Sequence, residues 1–237
     1  YYSKALNSKA TTIIINTDEV ECPEGKALIV HDNPLDAFNK LILSYRRFEP
    51  ATAMIGPKAE IGEGTIIEPG VFVGDRVKIG KNCIIHPNVT IYNHVIIGDN
   101  VIIQSGSVIG GDACYFQRRP EGFVKFESCG RVIIEDDVEI GACCCVDIGV
   151  TSDTIVGKGT KMDNFVQIGH DAKLGKNCFL GAHASVGGVT VVEDNVSIWS
   201  MSAVNKDLVI AEGTTVLAYS GVDKDTQPGQ TYFGVPA

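Results

Sequence analysis

The chain has 237 residues, 44% hydrophobic and 21% charged, with a formal net charge of −9. That length buries a continuous core in one large domain or two small ones. The acidic balance argues against a nucleic-acid surface and disfavours anionic membranes, and no run approaches the roughly 18 apolar residues of a membrane-spanning helix.

Residues 1–50 read as a small α/β module. Thr11–Ile15 and Ala27–Val30 are strand-like. Asn33-Pro34 opens a helix, with asparagine as the cap and proline in the first turn. Leu35, Phe38, Leu41, Ile42 and Tyr45 share one face of it at helical spacing. A linker spans about Glu49 to Pro57.

From residue 57 to 237 the pattern changes. An aliphatic residue recurs every sixth position from Ile61 to Ile109, again at Ile134, Ile140 and Val146, and without a slip from Val156 to Val222. A period of six fits neither a helix nor an ordinary strand, but a solenoid of short strands meeting at corners. The residue two places before each aliphatic one is small or medium, and alternation turns both inward. Gly, Asn and Asp follow at the corners, where left-handed dihedrals are tolerated. If three strands close each turn of 18 residues, the 24 hexads make eight turns. The fold class is mainly β, a parallel β-helix on the order of 38 Å long.

Two interruptions break the beat. An insertion at 110–131 carries Tyr115, Phe116, Arg118, Arg119, Phe123 and Phe126, and the Asp147–Asp153 stretch makes the Val146-to-Val156 interval ten residues. Excursions from a regular scaffold are where function concentrates.

None of the eight cysteines forms a paired CxxC arrangement. Cys83, Cys144 and Cys178 take inward slots as compact hydrophobes, and all eight are expected free in a reducing cytoplasm. Of the five histidines, His86, His94 and His183 read as structural or surface groups. His170 stands out, because it follows the inward Ile168 and the corner Gly169 and so projects outward. Gln167 also points out, and Asp163-Asn164 precede by one hexad. An outward imidazole among acid and amide groups suits general-base work. The histidine spacings do not converge on an ion, so no metal is expected.

The run Asp163-Asn164-Phe165-Val166-Gln167-Ile168-Gly169-His170-Asp171 resembles the UDP-3-O-(3-hydroxyacyl)glucosamine N-acyltransferases of lipid A biosynthesis. So do Tyr2 with Ala10–Ile14, Asp32–Phe38, His86–Tyr92, Gly130–Ile134, Val138–Ala142 and Tyr232–Pro236, over nearly the whole chain. The resemblance implies a left-handed coil, against the usual crossover rule, and a homotrimer with sites in the grooves between subunits. It implies His170 as the base that deprotonates the 2-amine of a UDP-linked amino sugar. The donor would be a 3-hydroxyacyl thioester on the phosphopantetheine of acyl carrier protein, with no other cofactor. Asp163 and Gln167 match groove residues, and Tyr2 matches a tyrosine that stacks on uracil.

The sequence departs from the family's pattern in several places. Asp207 stands where a second histidine is usual, Asp147-Ile148-Gly149 replaces Asp-Arg-Gly, and Gly110–Tyr115 alters a glycine-rich loop. The chain lacks an initiator methionine and ends at Pro236-Ala237, as expected of a piece of a longer protein. Lys158, Lys161, Lys173 and Lys176 recur near His170 and would supply docking charge for an acidic carrier protein. Two other readings are an acetyl-CoA-dependent acetyltransferase on a nucleotide amino sugar and a non-catalytic solenoid.

Overall fold

The computed structural model describes residues 2–237. The chain divides into two compact units, one holding the N-terminal residues through Glu49 together with Tyr115–Glu127, the other Pro50–Cys114 and Ser128–Ala237.

In the smaller unit Thr12–Ile15 pairs in parallel with Ala27–Val30, and the helix Pro34–Tyr45 follows. Asn33 caps that helix by accepting the Asp36 N–H. Leu35 and Ile42 are buried, and Phe38 meets Phe126 at 5.3 Å between ring centroids. Leu41 and Tyr45, expected on the same face, are exposed. The apolar stripe is narrower than the sequence pattern suggests. The Phe116–Arg119/Gly122–Lys125 hairpin belongs to this unit, because Arg119 donates to Asp36 and Asn33 while Asn39 holds the Lys125 carbonyl and the Glu127 N–H.

The larger unit is a parallel β-solenoid of three sheets with nine, eight and eight strands. Its aliphatic hexad residues stack in register 18 apart, as Ile61 on Ile79 and Leu174 on Val192, and from Val73 onward they are buried. Corner asparagines such as Asn82, Asn88, Asn100, Asn177 and Asn195 adopt φ of 53–61°, the left-handed region that asparagine tolerates better than most residues.

The inward small slot does more than save space. Thr160 Oγ1 donates to the Gly175 carbonyl at 3.0 Å and accepts the Cys178 N–H at 3.1 Å, one coil on. Ser202 bridges Leu217 and Ser220 in the same way, and Thr65 bridges Gly80 and Cys83. Cysteine fills the role too: the Cys83 thiol reaches the Gly98 carbonyl at 3.1 Å and lies 3.4 Å from the Val101 N–H. These side chains satisfy corner groups that strand pairing leaves unpaired, and every buried side-chain N or O among the described residues has a partner. All eight cysteines are free, and burial pushes the Cys144 thiol up to about 11.

The regular register fails twice. Ile97 stacks on Ile134, across the hairpin, and Val146 stacks on Ile168, 22 residues away instead of 18. The second slip inserts four residues at one corner, in the coil before His170.

Candidate active site

Those four residues fold onto the residue next to His170. Asp171 occupies a left-handed corner, φ 59°, where side chains usually face solvent, yet it is only 6% exposed. The Val150–Ser152 turn covers it. The N–H groups of Val150, Thr151 and Ser152 donate to its carboxylate at 2.9, 3.0 and 2.5 Å, while its own N–H donates to Thr154 Oγ1 at 2.8 Å. His170 Nδ1 lies 2.8 Å from Asp171 Oδ2. Burial on its own would push the Asp171 carboxyl up. The His170 hydrogen bond and the backbone amides outweigh it and hold the group well below the usual carboxylate range.

The turn fits because two glycines leave room for it. A Cβ on Gly149 or Gly130 would lie 1.6 or 1.8 Å from the Ser152 carbonyl oxygen. Arg131 clamps the far end, donating to Asp153 from Nε at 3.1 Å and Nη2 at 2.8 Å. That guanidinium holds the Asp153 carboxyl below its usual value.

With Nδ1–H given to an ionised carboxylate, the neutral ring carries its lone pair on Nε2. That nitrogen lies against Gly188 in the next coil, where a Cβ would come within 2.6 Å of it. The imidazole is 16% exposed, so it sits in a crevice floored by glycine backbone. A carboxylate-oriented imidazole with one nitrogen turned to a crevice is an arrangement that accepts protons.

The other expected residues divide. Gln167 is half-buried and donates Nε2 to Asp147 Oδ2 at 2.9 Å, on the same edge as His170. Burial pushes the Asp147 carboxyl up to about 6, against the opposing influence of His170 and Gln167. Asp163 stands at the preceding corner, exposed, accepting the Asn164 N–H at 2.7 Å. The carboxylate on the imidazole is thus that of Asp171, and not that of Asp163. The ten-residue interval one coil earlier was the signal for Asp171. Asp207 lies in the same corner column as Asp171, two coils on, exposed with φ 61°. Tyr2, in the smaller unit, is exposed and donates its hydroxyl to Asn16 at 2.9 Å.

His86 lies 2.6 Å from Glu68, and His183 stacks on Phe165 at 4.7 Å. The lysines expected to form a docking patch are partly neutralised. Lys158 lies 3.7 and 3.2 Å from Asp136 and Asp137, and Lys161 lies 3.9 Å from Glu139. No helix of the described residues is long and apolar enough to cross a membrane.

A parallel coil with hexad corners and a histidine-bearing crevice defines a hexapeptide-repeat protein. The family described as bacterial transferase hexapeptide (six repeats) matches residues 76–111 and 153–188. Over these two stretches the chain is similar to the hexapeptide transferases, and over a longer stretch it is similar to the UDP-3-O-acylglucosamine N-acyltransferases. The protein of that name from Methylobacterium sp. (strain 4-46) is 42% identical over 132 residues, which is 56% of this chain and 38% of that protein. The one from Campylobacter lari is 37% identical over 130 residues, 54% of this chain and 41% of that protein. The likeness therefore covers just over half of the chain, and the chain spans about two fifths of the length of these curated relatives. Among solved structures, a UDP-N-acetylglucosamine acyltransferase superposes with a TM-score of 0.65 at 28% identity, covering 77% of this chain and 69% of that one. The UDP-N-acetylglucosamine acyltransferase of Bacteroides fragilis 9343 gives 0.67 at 27%, covering 76% and 69%.

Proposed function

We propose that this protein transfers a 3-hydroxyacyl chain from acyl carrier protein to the 2-amine of a UDP-linked 3-O-acylglucosamine, a step of lipid A biosynthesis in the cytoplasm, with His170 as general base. The observation that carries the reading is the 2.8 Å contact between His170 Nδ1 and a carboxylate pinned by three backbone amides. It fixes the ring with Nε2 toward Gly188, the side on which this reading places the acceptor. The amine nitrogen attacks the thioester carbonyl, a C–N bond forms and the C–S bond breaks. The proton lost by nitrogen passes to His170 Nε2 and from there to the departing thiolate, so the ring ends as it began.

Gln167 and Asp163 line the acceptor groove in this reading, and Tyr2 contacts the uracil. The names and identities of the curated relatives support the amine acceptor. A homotrimer is supported by an exposed apolar edge, where Phe165, Trp199, Met201 and Tyr219 are each between 46% and 71% exposed. Unbroken free thiols suit a reducing compartment.

A second reading comes from the structural neighbours, named for UDP-N-acetylglucosamine. The amine of that sugar is already acylated, so a hydroxyl would be the acceptor. A donor and acceptor screen separates the two: carrier-protein thioesters of several lengths and acetyl-CoA, against UDP-glucosamine derivatives and UDP-N-acetylglucosamine. Replacing His170 with Ala lowers kcat by about 10²–10⁴ on the preferred pair. A variant that keeps its rate removes the imidazole from the chemistry.

A further inference from the structure

We infer that Asp147 is the group that reads the acceptor, its carboxylate taking the charged amine and discriminating against a hydroxyl at the same position. This rests on the acyltransfer reading for the nature of the acceptor, but on the site's own geometry for the choice of residue.

Asp147 ends the strand Cys145–Asp147, whose pairing of Cys145 with Gln167 and Val146 with Ile168 sets it level with Gly169, beside His170. In the next two coils its column carries Gly169 and Gly187, so backbone alone lies above it before Asn205. Gln167 reaches back to Oδ2 and fixes the carboxylate without neutralising it. The charged and titratable groups around it are His170, Asp112 and Cys145, two of them acids. Every other aspartate with a resolved shift, namely Asp36, Asp75, Asp137, Asp153 and Asp171, is drawn down, each with its own partners. Asp147 alone goes the other way, to about 6. Its carboxylate is costly to ionise as it stands, and the chemistry that removes that cost is an incoming cation. An ammonium group is such a cation: an amino-sugar acceptor can arrive protonated and release one proton to solvent before the neutral amine attacks, whereas a hydroxyl acceptor brings no charge.

The experiment is calorimetric titration of the full chain with UDP-glucosamine and with UDP-glucose, which differ at the 2-position. The wild type, Asp147→Asn and Asp147→Glu are compared at pH 7 and pH 5. The wild type should prefer the amino sugar by about tenfold at pH 7. Asp147→Asn should lose that preference by weakening UDP-glucosamine more than UDP-glucose, and Asp147→Glu should keep part of it. Because the preference needs the ionised carboxylate, it should shrink in the wild type as pH falls through about 6. An unchanged preference in Asp147→Asn overturns the inference. Equal weakening of both ligands, or no binding of either by the wild type, does the same. Failure of the acyltransfer reading looks different, since it leaves the calorimetric preference intact while no thioester is turned over.

Discussion

The coil is interrupted twice, and the two interruptions differ in kind. The larger one, Tyr115–Glu127, leaves the coil and builds its own hydrogen bonds with the N-terminal helix through Arg119 and Asn39. The smaller adds four residues and stays on the coil, where its backbone amides enclose Asp171. A long excursion can become part of a neighbouring unit, whereas a short one can re-aim a single side chain. Here the short one sits next to the candidate base.

Three substitutions sharpen that comparison. Asp171→Asn should have the largest effect, lowering kcat on the order of 10²-fold with little change in KM, because the imidazole loses its orienting acceptor. It should also cost about 2 kcal/mol of stability near neutral pH, as charge-assisted bonds to three amides become neutral ones. The sign with pH is definite. The folded carboxyl lies below its unfolded value of 3.8, so its contribution is full above that value and lost as pH falls below it. Denaturant midpoints of variant and wild type should therefore converge in strong acid.

Gly149→Ala comes next. Its Cβ would lie 1.6 Å from the Ser152 carbonyl oxygen, so the turn must move, at about 1–3 kcal/mol. Activity should fall with it although no group near the imidazole is altered. An alanine variant with wild-type melting temperature and rate would mean the turn does not depend on that glycine. The smallest effect is expected in the regular coils. Thr160→Val strands the Gly175 carbonyl and the Cys178 N–H, which should cost about 1–2 kcal/mol in chemical denaturation and leave kcat alone.

Much of this architecture was legible in the residues. The hexads placed Ile85, Ile168 and Leu180 in the core, where they are fully buried, because a period of six leaves one inward orientation per strand. The outward edge of His170 was readable from the same count. Asp171 was not, since its role depends on a turn from the preceding coil, and contacts of that range have no local signature. Two of the lysines also depend on contacts between coils. Read along the chain, Lys158 and Lys161 look like a basic patch. Stacked by coil, Lys161 lies beside Glu139, its register partner, and Lys158 faces Asp136 and Asp137. Leu41 and Tyr45 fit the helix's apolar arc by spacing, but Leu35, Phe38 and Ile42 alone supply its packed face.

The caged carboxylate also limits how such a rod can be rebuilt. Layers of eighteen residues repeat so regularly beyond Val156 that one could be spliced out or duplicated, lengthening or shortening the rod. The segment from Gly130 to Gly188 resists this treatment, because the imidazole and the acid that steadies it come from one layer, the amides that hold the acid from the layer before, and the glycine against the ring from the layer after. It would have to be transplanted whole or not at all.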